Sequence, residues 1–176
     1  MPENKMKFCP WCGNRLKMFE ISGKERSICS DARCGYVFWN NPAPVVAAIV
    51  EHNGNVILVR SHGWPEGWFG LVTGFLEKGE MPETAVLREV KEETGLDGKV
   101  GAYIGMYPFY ERNQLIIAYH VLSGGGEILL DSDELEDYRE VPIEKVKPWP
   151  MGTGAALRDW LRTLGYEREF SKSPRL

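Results

Sequence analysis

The segment between Pro82 and Gly95 places the strongest constraint on how this chain folds. Pro82 suits the first turn of a helix, and Gly95 stands where a left-handed C-terminal cap is expected. The segment therefore predicts one helix. At about 100° per residue, three glutamates of that helix, Glu89, Glu92 and Glu93, share one arc, beside an apolar arc that can pack.

This acidic arc needs a physical explanation, because like charges three or four positions apart destabilise a helix by a few tenths of a kcal/mol per pair. Only Arg88 can pair with Glu92 at four positions, so we expect the chain itself to leave the cluster uncompensated. Mg²⁺ and Mn²⁺ favour carboxylate oxygens and would compensate it. A solvated, glutamate-rich helix face is the other interpretation.

The remaining pattern predicts strands and one more helix. Asn53-Gly54 joins two apolar runs and indicates a hairpin. The other predicted elements are a short strand LVTGF, strands around residues 100–110 and 115–122, a short strand EILL at residues 127–130, and a closing helix around residues 154–164. Strands mixed with one central and one terminal helix predict an α+β or α/β sandwich.

All four cysteines lie near the start of the chain, as the pairs CPWC (Cys9, Cys12) and CSDARC (Cys29, Cys34), with a turn expected at Gly23. In a reducing compartment this spacing favours zinc over disulfides. The alternatives are two loose thiol pairs, or a ribbon that has lost its metal. We expect a zinc ribbon at residues 1–39, a linker at 40–44 and a second domain at 45–176.

The composition supports a folded chain with a real core, since 43% of its 176 residues are hydrophobic. The net charge of -4 is uneven, because residues 1–44 carry seven Lys/Arg against four Asp/Glu. No apolar run reaches the roughly 18 residues that span a bilayer, and the first residues lack the apolar segment of a secretory signal. We therefore expect a cytoplasmic protein without a membrane partner.

The helix and its flanks carry a resemblance to a known family. The chain resembles the Nudix hydrolases, which cleave nucleoside diphosphates linked to another moiety. The fixed positions of their signature box are met by Gly74, Glu80, Arg88, Glu89, Val90, Glu92, Glu93, Gly95 and Leu96. The resemblance implies the α/β/α sandwich of that family, with the box forming a loop, a helix and a loop.

The resemblance also implies roles for the box residues. Glu89, Glu92 and Glu93 would be Mg²⁺ or Mn²⁺ ligands, and Arg88 would pair with Glu80 to brace the loop. Divalent ions that bridge a pyrophosphate neutralise its charge and favour attack by water on phosphorus. Glu89 and Glu93 are both candidates for the general base, helped by neighbouring carboxylates that raise their proton affinity.

The four-cysteine ribbon, the short linker and the box together resemble the zinc-ribbon subgroup that includes bacterial NADH pyrophosphatase. That resemblance implies that Phe75 stacks on the substrate base and that Glu134, in the acidic segment DSDELED, adds a metal ligand. Trp39 would approach the base, although Phe38 competes for this role. The alternatives are a core aromatic residue for Phe75, Phe38 or Trp39 and a solvated loop for Glu134.

One departure from the subgroup concerns the substrate. NADH pyrophosphatases carry a Ser-Gln-Pro-Trp-Pro-Phe-Pro-x-Ser array after the box, whereas this chain has GMYPFYERNQL at residues 105–115. Tyr107 and Phe109 echo the aromatic part and indicate a nucleotide, since aromatic rings stack on any base. The departure weakens NADH as the substrate and favours ADP-ribose or FAD.

The leading hypothesis is therefore metal-dependent hydrolysis of a nucleoside diphosphate derivative of the NADH, ADP-ribose or FAD type, which gives two monophosphates. The alternatives are a (d)NTP pyrophosphohydrolase, and a non-catalytic protein that senses a nucleotide or binds nucleic acid. Removal of NAD-type caps from RNA is a variant that the resemblance allows, and a basic ribbon could help to hold RNA. The family also implies a possible homodimer.

Overall fold

The chain forms two compact units, which meet between Asn41 and Pro42. The computed structural model describes residues 6–172. The first unit contains strands β1 (Leu16–Ile21), β2 (Lys24–Cys29) and β3 (Val37–Phe38). They form an antiparallel sheet in the order β1-β2-β3. Ser22 and Gly23 both have positive φ and make the turn between β1 and β2, which confirms the turn expected at Gly23.

The second unit contains six strands and two helices. The strands are β4 (Ala43–His52), β5 (Asn55–Ser61), β6 (Val72–Phe75), β7 (Gly98–Phe109), β8 (Gln114–Ser123) and β9 (Leu135–Pro142). The helices are α1 (Pro82–Thr94) and α2 (Gly154–Thr163), and a 3-10 turn covers Tyr110–Arg112. The sheet has the order β7-β8-β4-β5-β9, with β6 on β4, and β4 runs parallel to β8 but antiparallel to β5 and β6.

The two helices cover opposite faces of this sheet, because successive side chains of β4 point to opposite sides. Val46 and Ala48 belong to the apolar cluster beneath α1, whereas Ala47 and Ile49 belong to the clusters beneath α2. The helix residues that complete these clusters are Ala85, Val86 and Val90 on α1, and Ala156, Leu157, Trp160 and Leu161 on α2. This arrangement confirms the predicted α/β/α sandwich.

Local sequence signals explain the best-predicted elements. Asn53 and Gly54 have φ values of 50° and 78°, and they close the predicted hairpin between β4 and β5. Gly95 has a φ of 71°, and its N–H donates to the carbonyl of Lys91 at 2.9 Å, so α1 ends where the glycine predicts.

The predicted short strand at residues 127–130 is wrong. Leu129 and Asp131 instead donate their N–H groups to the carbonyls of Thr94 and Glu93, at 2.9 and 3.2 Å. These bonds satisfy carbonyls at the C-terminal end of α1, which have no partner inside the helix. The acidic stretch that follows supplies a strand that the sequence did not predict, β9, which pairs antiparallel with β5.

The start of the second unit also differs from the sequence prediction. Ala43 already pairs with β8 as the first residue of β4, and its N–H donates to the carbonyl of Asn113 at 2.9 Å. The last two residues of the proposed linker at 40–44 therefore lie in a strand. Within residues 6–172, no helix is both long and apolar enough to cross a membrane.

Candidate functional site

Two glutamates of α1, Glu89 and Glu93, are buried beside β6 although their side chains are acidic. They stand one helical turn apart and therefore share a face, with only 9% and 6% of their surface exposed. Gly74 of β6 makes room for Glu89, because a Cβ at position 74 would lie 1.7 Å from Cδ of Glu89. Only a glycine at position 74 therefore leaves room for the carboxylate of Glu89.

The carboxylate of Glu93 has few partners. The backbone N–H of Thr73 donates to it, but its buried Oε2 has no hydrogen-bond partner within residues 6–172. Burial, followed by the negative charges of Glu89 and Glu134, raises the pKa of Glu93 to about 8. An unsatisfied buried polar atom costs about 1–3 kcal/mol, so a cation near this oxygen would be stabilising.

Arg88 holds three of the neighbouring carboxylates. Its Nε and Nη2 donate to the two oxygens of Glu80 at 2.9 and 3.1 Å, which is the ion pair expected from the sequence. Its Nη1 donates to Glu89 at 2.7 Å and to Glu92 at 2.8 Å. The expectation that the chain leaves the cluster uncompensated is therefore wrong for two of its glutamates, because a guanidinium has five donors to distribute.

The acidic loop, residues 131–134, lies beside the C-terminal half of α1. The N–H of Asp131 donates to the carbonyl of Glu93, and the N–H of Glu134 donates to the carbonyl of Asp131. Burial is the main cause of the raised pKa of both Glu89 and Glu93; the charge of Glu134 adds to both shifts, and Asp131 adds to that of Glu93. Sequence reasoning selected Glu134 but missed Asp131, although DSDELED contains both.

The carboxylates fit a hard divalent cation by their chemistry. Within the described part of the chain, only a group of cysteines brings three or more possible ligand atoms within 4.8 Å of one another. Glu92 is more exposed, with 56% of its side chain accessible, and it pairs with Arg88. Glu89, Glu93 and Glu134 still offer only oxygen donors, including the buried Oε2 without a partner. Such donors suit Mg²⁺ or Mn²⁺.

A cavity of about 340 Å³ opens beside β6 in the same unit. Its aromatic walls are Trp64, Trp68, Phe69, Phe109 and Trp149, and its polar lining includes Thr73, Arg112 and Gln114. The size and the apolar lining are typical of a small-molecule site. Thr73 connects the two halves of the site, since it lines the cavity while its N–H donates to Glu93.

The structure brings only one of the three predicted aromatic contacts of this unit into the cavity. Phe109 lines the cavity, whereas Phe75 is 61% exposed at the end of β6 and is absent from the lining. The hydroxyl of Tyr107 donates to Asp159 of α2 at 2.9 Å. Burial and this carboxylate raise the pKa of Tyr107. Tyr107 therefore ties β7 to α2.

Three tryptophans of the cavity wall were missed by sequence reasoning, namely Trp64, Trp68 and Trp149. They lie in two loops that are rich in tryptophan, glycine and proline, SHGWPEGWFG and PWPMGTG. Large aromatic residues concentrated in loops, rather than in strands, were the available signal, because loops at the end of a sheet commonly carry ligand contacts.

Trp39 belongs to the first unit, with about half of its surface exposed. The guanidinium carbon of Arg26 lies 5.7 Å from the centre of its ring, and Arg26 also donates a hydrogen bond to its carbonyl. Phe38, the competing residue, is the last residue of β3. A contact between Trp39 and a substrate base stays a prediction.

The four cysteines of the first unit gather into one cluster. The sulfur atoms of Cys9, Cys12, Cys29 and Cys34 all lie within 4.8 Å of one another, and all four cysteines are free. The Cys12–Cys29 and Cys9–Cys34 sulfur distances are 3.4 and 3.7 Å. Four sulfurs bound to zinc at about 2.3 Å in a tetrahedron are about 3.8 Å apart. The cluster therefore fits one zinc ion.

The sequence model of the NUDIX domain matches residues 41–163. The chain belongs to the NUDIX family. The match includes the loop at Gly74, the whole of α1 and the acidic loop, so the buried carboxylates lie within the Nudix domain. Members of this family are hydrolases that use divalent cations, in agreement with the all-oxygen donor set.

Curated Nudix relatives extend the similarity beyond the domain. The NAD-capped RNA hydrolase NudC of Pseudomonas aeruginosa is 30% identical over 144 residues, which cover 82% of this chain and 50% of that protein. The NAD-capped RNA hydrolase NUDT12 of Homo sapiens is 34% identical over 151 residues, which cover 81% of this chain and 32% of that protein. The chain thus spans about half the length of NudC and about a third of NUDT12.

A solved Nudix structure matches the fold of nearly the whole chain. The Nudix hydrolase from Nitrosomonas europaea superposes with a TM-score of 0.74 at 22% identity, and the match covers 94% of this chain and 97% of that one. At this identity the comparison supports the Nudix fold and carries nothing about the substrate.

Proposed function

We propose that this Nudix protein hydrolyses the pyrophosphate bond of a nucleoside diphosphate linked to another moiety and releases two monophosphates. One observation carries the proposal: Thr73 and Gly74, adjacent in β6, connect the carboxylates to the cavity. Thr73 lines the cavity and binds Glu93, and Gly74 seats Glu89. A base held in the cavity would therefore present its phosphates to these carboxylates.

The acidic residues supply the cation site in this proposal. Glu89, Glu92, Glu93 and Glu134 are its candidate ligands, with Glu93 the most strongly supported because its buried Oε2 has no partner in the described chain. When bound, Mg²⁺ or Mn²⁺ neutralises the charge that builds up on the phosphates during attack by water. Glu89 and Glu93 remain the two candidates for the general base, since both are buried at the cluster.

Arg88 and Glu80 act as positioning residues for that cluster. Arg88 fixes the box loop through Glu80 and orients Glu89 through Nη1. A planar guanidinium with several simultaneous partners holds carboxylates in a defined geometry that a lysine cannot reproduce. Loss of Arg88 should therefore displace Glu89 rather than remove a reacting group.

The cavity selects the nucleotide. Its aromatic walls suit a base, because stacking on an aromatic side chain contributes about 1–3 kcal/mol for any base. The polar side chains of Arg112 and Gln114 can contact the groups attached to the base. Nucleoside diphosphate derivatives of the NADH, ADP-ribose and FAD type combine a base with a pyrophosphate and are the proposed substrates. NAD-capped RNA is a second candidate, supported by the similarity of the chain to NAD-capped RNA hydrolases.

The first unit carries a structural zinc ion in this proposal, held by the four cysteines. Their sulfur–sulfur distances support a tetrahedral site, and a four-thiolate zinc site is closed, with no open position for a substrate. The ribbon would stabilise its own small sheet, in which β2 ends at Cys29. The possible homodimer stays a prediction, which a mass measurement in solution would test.

A substrate panel with Mg²⁺ and Mn²⁺ tests the proposed reaction. The panel contains NADH, NAD⁺, FAD, ADP-ribose, NAD-capped RNA and deoxynucleoside triphosphates, with all products identified. AMP with a second monophosphate is expected from NADH, NAD⁺, FAD and ADP-ribose, and nicotinamide mononucleotide with 5′-monophosphate RNA is expected from NAD-capped RNA. Pyrophosphate released from triphosphates would contradict the proposed bond and indicate a triphosphate pyrophosphohydrolase.

Two glutamine variants complete the test. Glu93→Gln should abolish turnover, while Glu140→Gln, an exposed position on β9, should retain it. Absence of turnover on the whole panel, from protein that is folded and loaded with metal, would overturn the proposal and favour a protein that senses nucleotides without cleaving them.

A further inference from the structure

His62 joins two loops that belong to different halves of the candidate site. It directly follows β5, and its backbone N–H donates to the carbonyl of Glu134 at 3.1 Å. Its ring nitrogens face two further acceptors: Nε2 lies 2.9 Å from the carbonyl oxygen of Ser132, and Nδ1 lies 3.2 Å from Oε1 of Glu136. One residue thus makes three contacts with the acidic loop and the start of β9.

The chain continues from His62 into the wall of the cavity. The tryptophan loop, residues 63–68, begins at Gly63, which has a φ of 77°, and it contributes Trp64 and Trp68 to the lining. The ring of Trp64 packs closely on Gly70, where a Cβ would lie 3.0 Å from it. A shift of the His62 backbone would therefore be transmitted to Trp64, two residues away.

The acidic loop in turn is connected to the buried carboxylates. The N–H of Glu134 donates to the carbonyl of Asp131, whose own N–H donates to the carbonyl of Glu93. The charge of Glu134 is close enough to raise the pKa of both Glu89 and Glu93. The position of this loop therefore contributes to the negative charge at the cluster.

We propose that His62 is a positioning residue that holds the acidic loop and the tryptophan loop together, so that cation affinity and the fit of the nucleotide both depend on it. This inference rests on the proposed function, because it assumes that Glu134 contributes to the cation site. The sheet itself does not depend on His62, since half of its side chain is exposed and β5 and β9 pair along seven positions without it.

The test begins with Mg²⁺ alone, titrated by calorimetry into the chain of 176 residues. His62→Ala should weaken Mg²⁺ binding about fivefold, which corresponds to about 1 kcal/mol. His62→Arg, which restores donors toward Ser132 and Glu136, should recover most of the loss. His120→Ala is the matched control, because His120 forms a similar pair with Glu51 at 2.8 Å, and it should leave Mg²⁺ affinity unchanged.

A double-mutant cycle separates positioning from a general loss of structure. In the Glu134→Gln background, His62→Ala should have almost no further effect on Mg²⁺ affinity, because His62 acts through Glu134. Equal losses in both backgrounds would overturn the proposal. So would a His62→Ala protein that retains both the Mg²⁺ affinity and the KM of the wild type within twofold.

Tryptophan fluorescence supplies a second readout and covers the case in which His62→Ala folds poorly. Mg²⁺ without nucleotide should change the emission of the wild type, and this change should be absent from Trp64→Phe and reduced in a well-folded His62→Arg or His62→Gln variant. No change in the wild type would contradict the link. Hydrolysis by the wild type that is lost in Glu93→Gln would still support the proposed function, so the two failures are distinguishable.

Discussion

The carboxylate of Glu89 occupies the space that a side chain at Gly74 would need, with a separation of 1.7 Å between Cδ and the position of a Cβ. A helix residue and a strand residue that are fifteen positions apart in sequence are therefore coupled by volume alone. A side chain at position 74 would therefore displace the carboxylate of Glu89, even if the backbone of β6 did not change.

Gly74→Ala should consequently impair turnover far more than folding. Displacing Glu89 by about 1 Å is expected to lower kcat/KM by about a hundredfold, while the melting temperature stays near that of the wild type. Steady-state kinetics and thermal unfolding would measure the two effects. Gly124→Ala is the control, since a Cβ there would meet only the carbonyl oxygen of Asp97, at an ordinary 3.5 Å; equal kinetics for both variants would contradict the prediction.

Glu93 should make the stability of the protein depend on pH when Mg²⁺ and Mn²⁺ are absent. Its pKa rises from 4.5 to about 8 on folding, so the folded state keeps a proton that the unfolded state releases. The stabilisation is complete below about pH 4.5 and is lost as pH rises through about 8. Urea unfolding should show a decrease on the order of 1 kcal/mol or more across this window.

Glu93→Gln removes the ionisable group and is the variant that tests this pH dependence. It should flatten the curve and should be the more stable protein at the alkaline end. Curves of identical slope for the two proteins would contradict the assignment of the proton to Glu93.

Arg88→Lys should lower activity although the positive charge is retained. A lysine cannot contact Glu80, Glu89 and Glu92 at once, so the box loop and Glu89 lose a common partner. We expect kcat/KM to fall about ten- to a hundredfold, which corresponds to about 1–3 kcal/mol. Arg162→Lys, in an exposed pair with Glu167, should behave like the wild type; a comparable fall there would show a general effect of losing arginine.

Trp64→Ala should weaken nucleotide binding without preventing the reaction. Stacking on one aromatic side chain contributes about 1–3 kcal/mol to binding of the base. Its loss should raise KM by about 5- to 150-fold and change kcat little. Trp11→Ala serves for comparison, since Trp11 is 72% exposed in the first unit. A Trp64→Ala enzyme with wild-type KM would remove this wall of the cavity from the proposed nucleotide site.

Carefully purified protein should contain about one zinc ion per chain, because one closed four-sulfur site is present. Cys29→Ser should lose this ion and unfold the first unit, since metal binding and folding are coupled in small zinc modules. Metal analysis and circular dichroism would measure both effects. Wild-type protein without zinc, or a serine variant that keeps it, would rule out this site.

The elements that sequence predicted best carry their signals locally. Pro82 and Gly95 bound α1, and Asn53-Gly54 makes the hairpin, so short-range stereochemistry was sufficient. β9 was missed because its apolar residues, Leu135, Tyr138 and Val141, are separated by pairs of charged residues in a stretch typical of a loop, and only pairing with β5 makes it a strand. The segment EILL shows the opposite case: it is apolar, but the N–H of Leu129 donates to the carbonyl of Thr94 at the end of α1.

The candidate site was likewise predictable where its signals are local. Helical periodicity brings Glu89 and Glu93 to one face, and both are buried there together. Three further contacts depend on how β6 and the acidic loop pack against α1. They join Arg88 to Glu89, the N–H of Thr73 to Glu93, and the N–H of Asp131 to the carbonyl of Glu93. No pattern along the sequence predicts those contacts. The same holds for the hydrogen bond of Tyr107 to Asp159, because the two residues are 52 positions apart in sequence.

Most of the cavity wall and most of the carboxylates come from separate parts of the chain. Three segments around residues 63–69, 109–114 and 149–153 form most of the wall, and a single helix carries most of the acids. During evolution, mutations in these segments could therefore change which nucleotide is accepted while the glutamates on α1 stay the same.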